Sequence, residues 1–203
     1  CGKGILAQTR RRDSKARFLS ARRGWNMSEF SCGMLVKREH AKEIENRLSA
    51  MDVGVDCFFH EVNSSWTGLF LEDQWLQSAS TLKLVKSLSE TAPLLFFFDV
   101  DEHGWGYRVF AGGSEIARRV FETGDPESAG DRMEVEGAVG VQAFKAFDLS
   151  DGALEQLKLV IEMQHPCGFG EPSTARDDFK ELLGFAEFAW MSYEYLLDEH
   201  FDD

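Results

Sequence analysis

The sequence predicts an α+β fold, a mainly antiparallel sheet packed with helices and followed by a helical, acidic C-terminal part. Three observations carry this. Short β-branched and aromatic runs bounded by Gly, Asn and Ser turn signals recur between residues 55 and 122. One segment with apolar residues at steps of three and four precedes them and a second interrupts them, and beyond residue 150 that period continues alone. Hydrophobic residues make up 43% of the 203-residue chain against 28% charged, enough apolar side chain to close a core.

Residues 37–51 read as the first helix, with Ala41, Ile44, Leu48 and Met51 on one stripe. Val55 to Val62 follows Gly54 as a strand, Asn63-Ser64-Ser65 is a turn, and Trp66 to Leu71 returns as a hairpin partner. Residues 78–88 form a second helix through Leu82, Val85 and Leu88, closed off by Pro93. From Pro93 to Val100 both alternating sets, Leu94/Phe96/Phe98 and Leu95/Phe97, are apolar, which marks a central strand. Asp101 to Gly104 is a turn, Trp105 to Ala111 the next strand, Gly112-Gly113 a tight hairpin and Glu115 to Glu122 its partner. Residues 93–122 are thus expected to form a three-stranded meander. The polar stretch 123–131, with Gly124, Pro126 and Gly130, is a loop. Residues 132–149 fit neither period, because Gly137 and Gly140 weaken a helix. Ser150 is placed to cap a helix to about Gln164, and Ser173 another that stops at Gly184. Phe185, Phe188, Ala189, Tyr193 and Leu196 suggest a last helix, in which Trp190, Tyr193 and Leu197 form a docking stripe. The helices of the second part need a surface to cover. The sheet is the obvious one, so residues 27–203 are read as a single domain, sheet-rich over 34–124 and helix-rich over 132–203.

The net charge of −13 is a sum of unlike parts. Residues 1–26 hold eight Lys/Arg and one acid, or +7. They show no apolar period and no hydrophobic signal region, so they are neither a secretory signal nor a membrane anchor. The pair Arg22-Arg23 before Met27 can be encoded AGG-AGG, a bacterial ribosome-binding sequence. The segment is therefore read as a non-native, disordered leader, with the natural start at Met27 or Met34; other codons at those arginines would remove the argument. The competing reading is a basic arm for an anionic surface. Residues 27–124 carry nine Lys/Arg against 15 Asp/Glu, and residues 125–203 five against 19. The remainder is therefore −20, most of it in the C-terminal part. Such a chain is not expected to bind nucleic acid, which needs a basic face. No run of 18 apolar residues exists to cross a membrane.

Cys1, Cys32, Cys57 and Cys167 form no CxxC pair, and two of them fall outside or at the margin of the expected fold. They read as reduced thiols in a cytoplasmic protein.

The most chemical-looking cluster is Asp99-Val100-Asp101-Glu102-His103. Its carboxylates and imidazole are divalent-metal ligand types, although the same residues suit a polar turn between two apolar strands. His103-Gly104-Trp105-Gly106-Tyr107 sets two rings between glycines that allow close approach. Trp105 and Tyr107 would serve as contact residues in a recognition loop, or alternate onto a buried face. The candidate binding residues are therefore Asp99, Asp101, Glu102, His103, Trp105 and Tyr107. His165-Pro166-Cys167 places a thiol near an imidazole, which reads as an ordinary loop thiol, and Gly168-x-Gly170 is no phosphate loop. No HExxH, GxSxG, GxxxxGK[ST], GxGxxG or EF-hand pattern occurs, and the sequence calls for no cofactor.

No family's catalytic or binding motifs map onto the chain residue by residue. In size, charge and class alone it resembles small acidic bacterial cytosolic proteins, such as toxin-neutralising immunity proteins and secretion chaperones. The expectation is a non-enzymatic module that binds a basic protein partner. The alternatives are a metal-dependent enzyme using Asp99, Asp101 and His103, and a structural or regulatory subunit.

Overall fold

The computed structural model describes residues 30–51, 55–100, 104–122, 140–162 and 172–199. The basic segment 1–26, the loop 123–131 and the stretch from His165 to Gly170 lie outside the described residues. The framework is a six-stranded antiparallel sheet in the order β2-β3-β1-β4-β5-β6. Its strands are β1 (Phe30–Lys37), β2 (Cys57–Glu61), β3 (Trp66–Leu71), β4 (Leu94–Val100), β5 (Gly104–Ala111) and β6 (Ser114–Glu122). The helices are α1 (Arg38–Ser49), α2 (Ala79–Leu88), α3 (Asp151–Glu162), α4 (Pro172–Leu183) and α5 (Tyr193–Glu199), with a 3₁₀ helix at Val141–Phe147.

Both faces of the sheet are covered. Successive side chains of β4 point to opposite faces, and they enter two separate cores. Leu94 and Phe96 join Met34, Val36, Ile44, Val85 and Leu88 beneath α1 and α2. Leu95 and Phe97 join Trp66, Phe70, Tyr107, Phe144, Leu157, Phe179 and Leu196 beneath the 3₁₀ helix and α3–α5. Helices on both sides explain why β4 is apolar in both of its alternating sets, where an antiparallel strand with one wet face would alternate. In α2 the buried stripe is Thr81, Leu84, Val85 and Leu88, while Leu82 is only partly covered.

Local chemistry sets the element ends. The Asn63 carboxamide oxygen accepts the backbone N–H groups of Ser65 (2.8 Å) and Trp66 (3.0 Å), closing the β2–β3 turn. Ser78 Oγ accepts the Thr81 N–H at 3.1 Å, and Ser150 Oγ accepts the Ala153 N–H at 3.2 Å, as N-caps of α2 and α3. Gly112 and Gly113 sit at φ +57° and +80°, the two left-handed positions that a type I′ hairpin requires.

Strand β1 is the strand that sequence reading left unassigned. It is buried from Ser31 to Val36 and occupies the middle of the sheet. It pairs with β4 from Phe30↔Val100 to Leu35↔Leu95, but with β3 only from Met34↔Leu69 to Lys37↔Trp66. Its first half thus has no β3 neighbour on one side, and the Cys32 N–H donates instead to the Met191 carbonyl at 2.8 Å. Cys32 is accordingly a core residue of a central strand, not a marginal one.

That bond also accounts for a second difference. The expected helix through Phe185 and Leu196 shrinks to α5, Tyr193–Glu199. Gly184, at φ +74°, ends α4, and the Phe185 N–H turns back to the Lys180 carbonyl at 2.9 Å. Phe185 and Phe188 then drop into the core from turns, and the chain is drawn past β1 to place Met191. Trp190, at φ +58° and 51% exposed, lies outside any helical stripe with Tyr193 and Leu197. Helix α4 begins at Pro172, a residue suited to the first helical position, so Ser173 lies inside the first turn instead of capping it.

Candidate functional site

Of the candidate residues in the Asp99–His103 cluster, Asp99 is described by the structure; Asp101, Glu102 and His103 lie outside the described residues. Asp99 follows Leu95 and Phe97 on the β4 face that meets α4, so its carboxylate enters a layer of rings. A buried carboxylate needs a counter-charge. The Arg176 guanidinium supplies it at 3.1 Å, with the two side chains 24% and 16% exposed for Arg176 and Asp99. Arg176 also holds Asp177 at 2.9 Å. Lys180 stands one helical turn further along α4, on the same face, and is only 6% exposed.

The electrostatics of this node are set mainly by burial. Burial raises the Asp99 carboxyl above the ordinary carboxylate range, and the Arg176 and Lys180 charges pull against it. Burial lowers the Lys180 ammonium, opposed by Asp99. For Arg176, burial is outweighed by the Asp177 and Asp99 carboxylates, which raise it. Two cations therefore face Asp99 and Asp177 in a closed, nearly neutral network that ties α4 to the sheet. The Asp99 carboxylate accepts from the Arg176 guanidinium through Oδ1. Among the described residues no group of three or more His, Cys, Asp or Glu is placed to hold a metal ion.

Trp105 and Tyr107, the other two candidates, are core residues. Trp105 stacks on Phe121 with ring centroids 4.1 Å apart, and Tyr107 stacks on Phe179 at 5.1 Å. Neither ring reaches the surface where a partner would meet it. Gly106 between them allows close approach within the sheet: a Cβ there would lie 2.6 Å from the Arg119 carbonyl and 2.7 Å from the Phe98 ring. The Tyr107 hydroxyl has no hydrogen-bond partner among the described residues.

Arg176 and Lys180 were invisible as site residues, being 77 or more positions from Asp99. The signal available was Asp99 itself, an acid on an apolar strand face that calls for a cation. Trp66 is a comparable tie: its indole N–H donates to the Leu183 carbonyl at 2.9 Å, and Lys37 Nζ lies 4.1 Å from the ring centroid.

A cavity beside Cys32, lined also by Met34, Leu71, Gln74 and Phe96, has a volume of about 10 Å³, room for roughly one water molecule. Small-molecule sites use several hundred Å³. The Cys32 S–H donates to the Gln74 carbonyl at 3.2 Å, and burial pushes this thiol far above its ordinary value. Burial, aided by Asp56, pushes Cys57 up to about 11. Neither thiol is activated for nucleophilic chemistry.

No helix among the described residues is long and apolar enough to cross a membrane. Comparison with protein-family models, curated proteins and solved structures returns no match for the chain. The fold and the node together define the class: an α+β chain whose antiparallel sheet is clad by helices on both faces, with α4 tied to the sheet through Asp99.

Proposed function

We propose that this chain is a small acidic bacterial protein of the cytoplasm that works as a non-catalytic binding module and holds a basic protein, in the manner of an immunity-type or chaperone-like protein. The observation that carries this reading is the outer surface of the C-terminal helices. Asp151, Glu155, Asp178 and Glu181 are exposed there, and none of the four has an ion-pair partner among the described residues. Uncompensated charge of one sign raises the encounter rate with an oppositely charged partner and fixes its approach, an effect that salt removes. A metal-dependent enzyme built on Asp99, Asp101 and His103 has less support, because the Asp99 carboxylate is committed to Arg176.

The test is a native pull-down at low salt and at about 1 M salt, where the screening length falls to about 3 Å. The expected result is a basic protein retained at low salt and released at high salt. Retention of no protein, or retention indifferent to salt, would sink electrostatic capture. A melting-temperature scan with Mn²⁺, Mg²⁺ and Zn²⁺ addresses the enzyme reading, and a shift with any of them would revive it.

A further inference from the structure

We infer that the row of rings Trp190–Tyr195–Phe30–Trp75 is a docking surface for an arginine-rich segment of a partner protein. The inference rests on the basic-partner reading above and gives that partner a place on the fold. The rings form a continuous chain: Trp190 to Tyr195 at 6.5 Å, Tyr195 to Phe30 at 5.0 Å and Phe30 to Trp75 at 6.4 Å. The row runs from the turn before α5, over the first residue of β1, to the β3–α2 loop. Trp75 and Trp190 at its ends are 38% and 51% exposed.

Backbone strain sets Trp190 apart from ordinary surface rings. Trp190 itself is left-handed at φ +58°, and so is Leu76, next to Trp75, at φ +55°. Glycine or asparagine takes such a turn at little cost, whereas other residues are disfavoured there. The turn at Trp190 aims the Met191 carbonyl at Cys32, but that requires no indole. A buried ring would repay the strain through contacts, yet about half of this one faces water. Strained, exposed aromatics are the pattern of recognition sites.

The rim states what kind of partner fits. Glu72 and Asp73 lead into Trp75, and Glu194 precedes Tyr195. Neither Glu72 nor Glu194 has an ion-pair partner among the described residues, while the Asp73 carboxylate accepts the Gln77 and Ser78 N–H groups ahead of α2. An acidic rim repels phosphate backbones and anionic lipid. Arginine fits it best, since a guanidinium stacks on a ring while its edge pairs with a carboxylate; lysine offers only the charge. The chain stacks arginines on rings internally, Arg108 over Phe110 at 5.1 Å and Arg119 over Phe121 at 4.9 Å.

The test measures fluorescence anisotropy of labelled nona-arginine and nona-lysine with the full chain at low salt. Wild type is expected to bind nona-arginine about five-fold or more tightly than nona-lysine. Trp75→Ala and Trp190→Asn should each bring nona-arginine down to the nona-lysine level. Trp190→Asn should also melt no lower than wild type, because asparagine relieves the left-handed strain. Equal binding of the two peptides, or full affinity in both variants, would overturn the ring row while leaving the basic-partner reading standing. Failure of both peptides to bind wild type would remove both. A melting temperature that collapses in Trp190→Asn, or a wild-type dimer that Trp75→Ala dissolves, would mark the row as a structural element or a self-interface and likewise overturn the assignment.

Discussion

Removing the guanidinium of Arg176 strands a carboxylate that the fold has largely taken out of water. Arg176→Met keeps most of the apolar stem of the side chain and deletes the charge 3.1 Å from Asp99. At that distance the Coulomb attraction is about 1 kcal/mol in water and about 5 kcal/mol at an effective dielectric of about 20. With one partner 24% and the other 16% exposed, the pair lies between an exposed bridge and a fully buried one. The expected loss at pH 7 is about 2 kcal/mol, more than the usual surface pair and less than a sealed one.

The pH dependence has a definite sign. Burial already holds Asp99 above the ordinary carboxylate range, and Arg176 is the chief group pulling it down. In Arg176→Met the folded-state value rises further, so the folded state takes up a proton more readily than the unfolded chain. The protonated carboxyl needs no counter-charge, and the deficit against wild type shrinks as pH falls from 7 toward 4. Urea denaturation of wild type, Arg176→Met, Asp99→Asn and the double variant at pH 7 and pH 5 measures both effects. The double variant should recover about 1 kcal/mol or more relative to the sum of the singles. A loss below about 0.5 kcal/mol, additive singles, or a deficit that grows on acidification would each refute a supporting Asp99–Arg176 node.

Other outcomes follow from the same packing. Trp66→Phe leaves the Leu183 carbonyl without its donor and should cost about 2 kcal/mol in urea denaturation. Gly106→Ala drives a methyl group against the Arg119 carbonyl and the Phe98 ring, and should cost about 1–3 kcal/mol by the same assay. Tyr107→Phe removes a buried hydroxyl that has no partner among the described residues, so its urea midpoint should equal or exceed that of wild type. A chain cut to begin at Met34 loses the β1 residues that pair with Phe97 to Val100, together with the Cys32–Met191 bond. It should give no cooperative melt by circular dichroism, whereas a chain cut at Met27 should melt cooperatively.

The α+β class was legible because helix and strand periods come from side-chain spacing, which needs no partner to be read. The two-sided burial of β4 could be read the same way from Leu94 to Phe98. Strand β1 was not, because Phe30–Lys37 has neither alternation nor a turn signal beside it, and a glycine and a cysteine dilute its apolar run. Residues 185–192 carry a helical period, yet tertiary demand overrode it: the chain had to pass β1 and satisfy the Cys32 N–H.

The candidate site divided along the same line. Trp105 and Tyr107 are ring-bearing residues in a glycine-rich stretch, and sequence alone leaves open whether such rings face a partner or a core. Once α4 lies over β5, Phe179 stacks on Tyr107 and the choice is made. Asp99 was legible as a polar residue in an apolar strand; the identity of its partner was not. Composition alone determined that this chain has apolar side chain enough for a core and an excess of acid beyond it, since both are sums over residues. Only the tertiary structure decided which acids are spent inside, as Asp99 is on Arg176, and which, like Glu72 and Glu194, are left facing water. Pairing across 77 residues depends on where two elements meet in space, and no local pattern encodes that meeting.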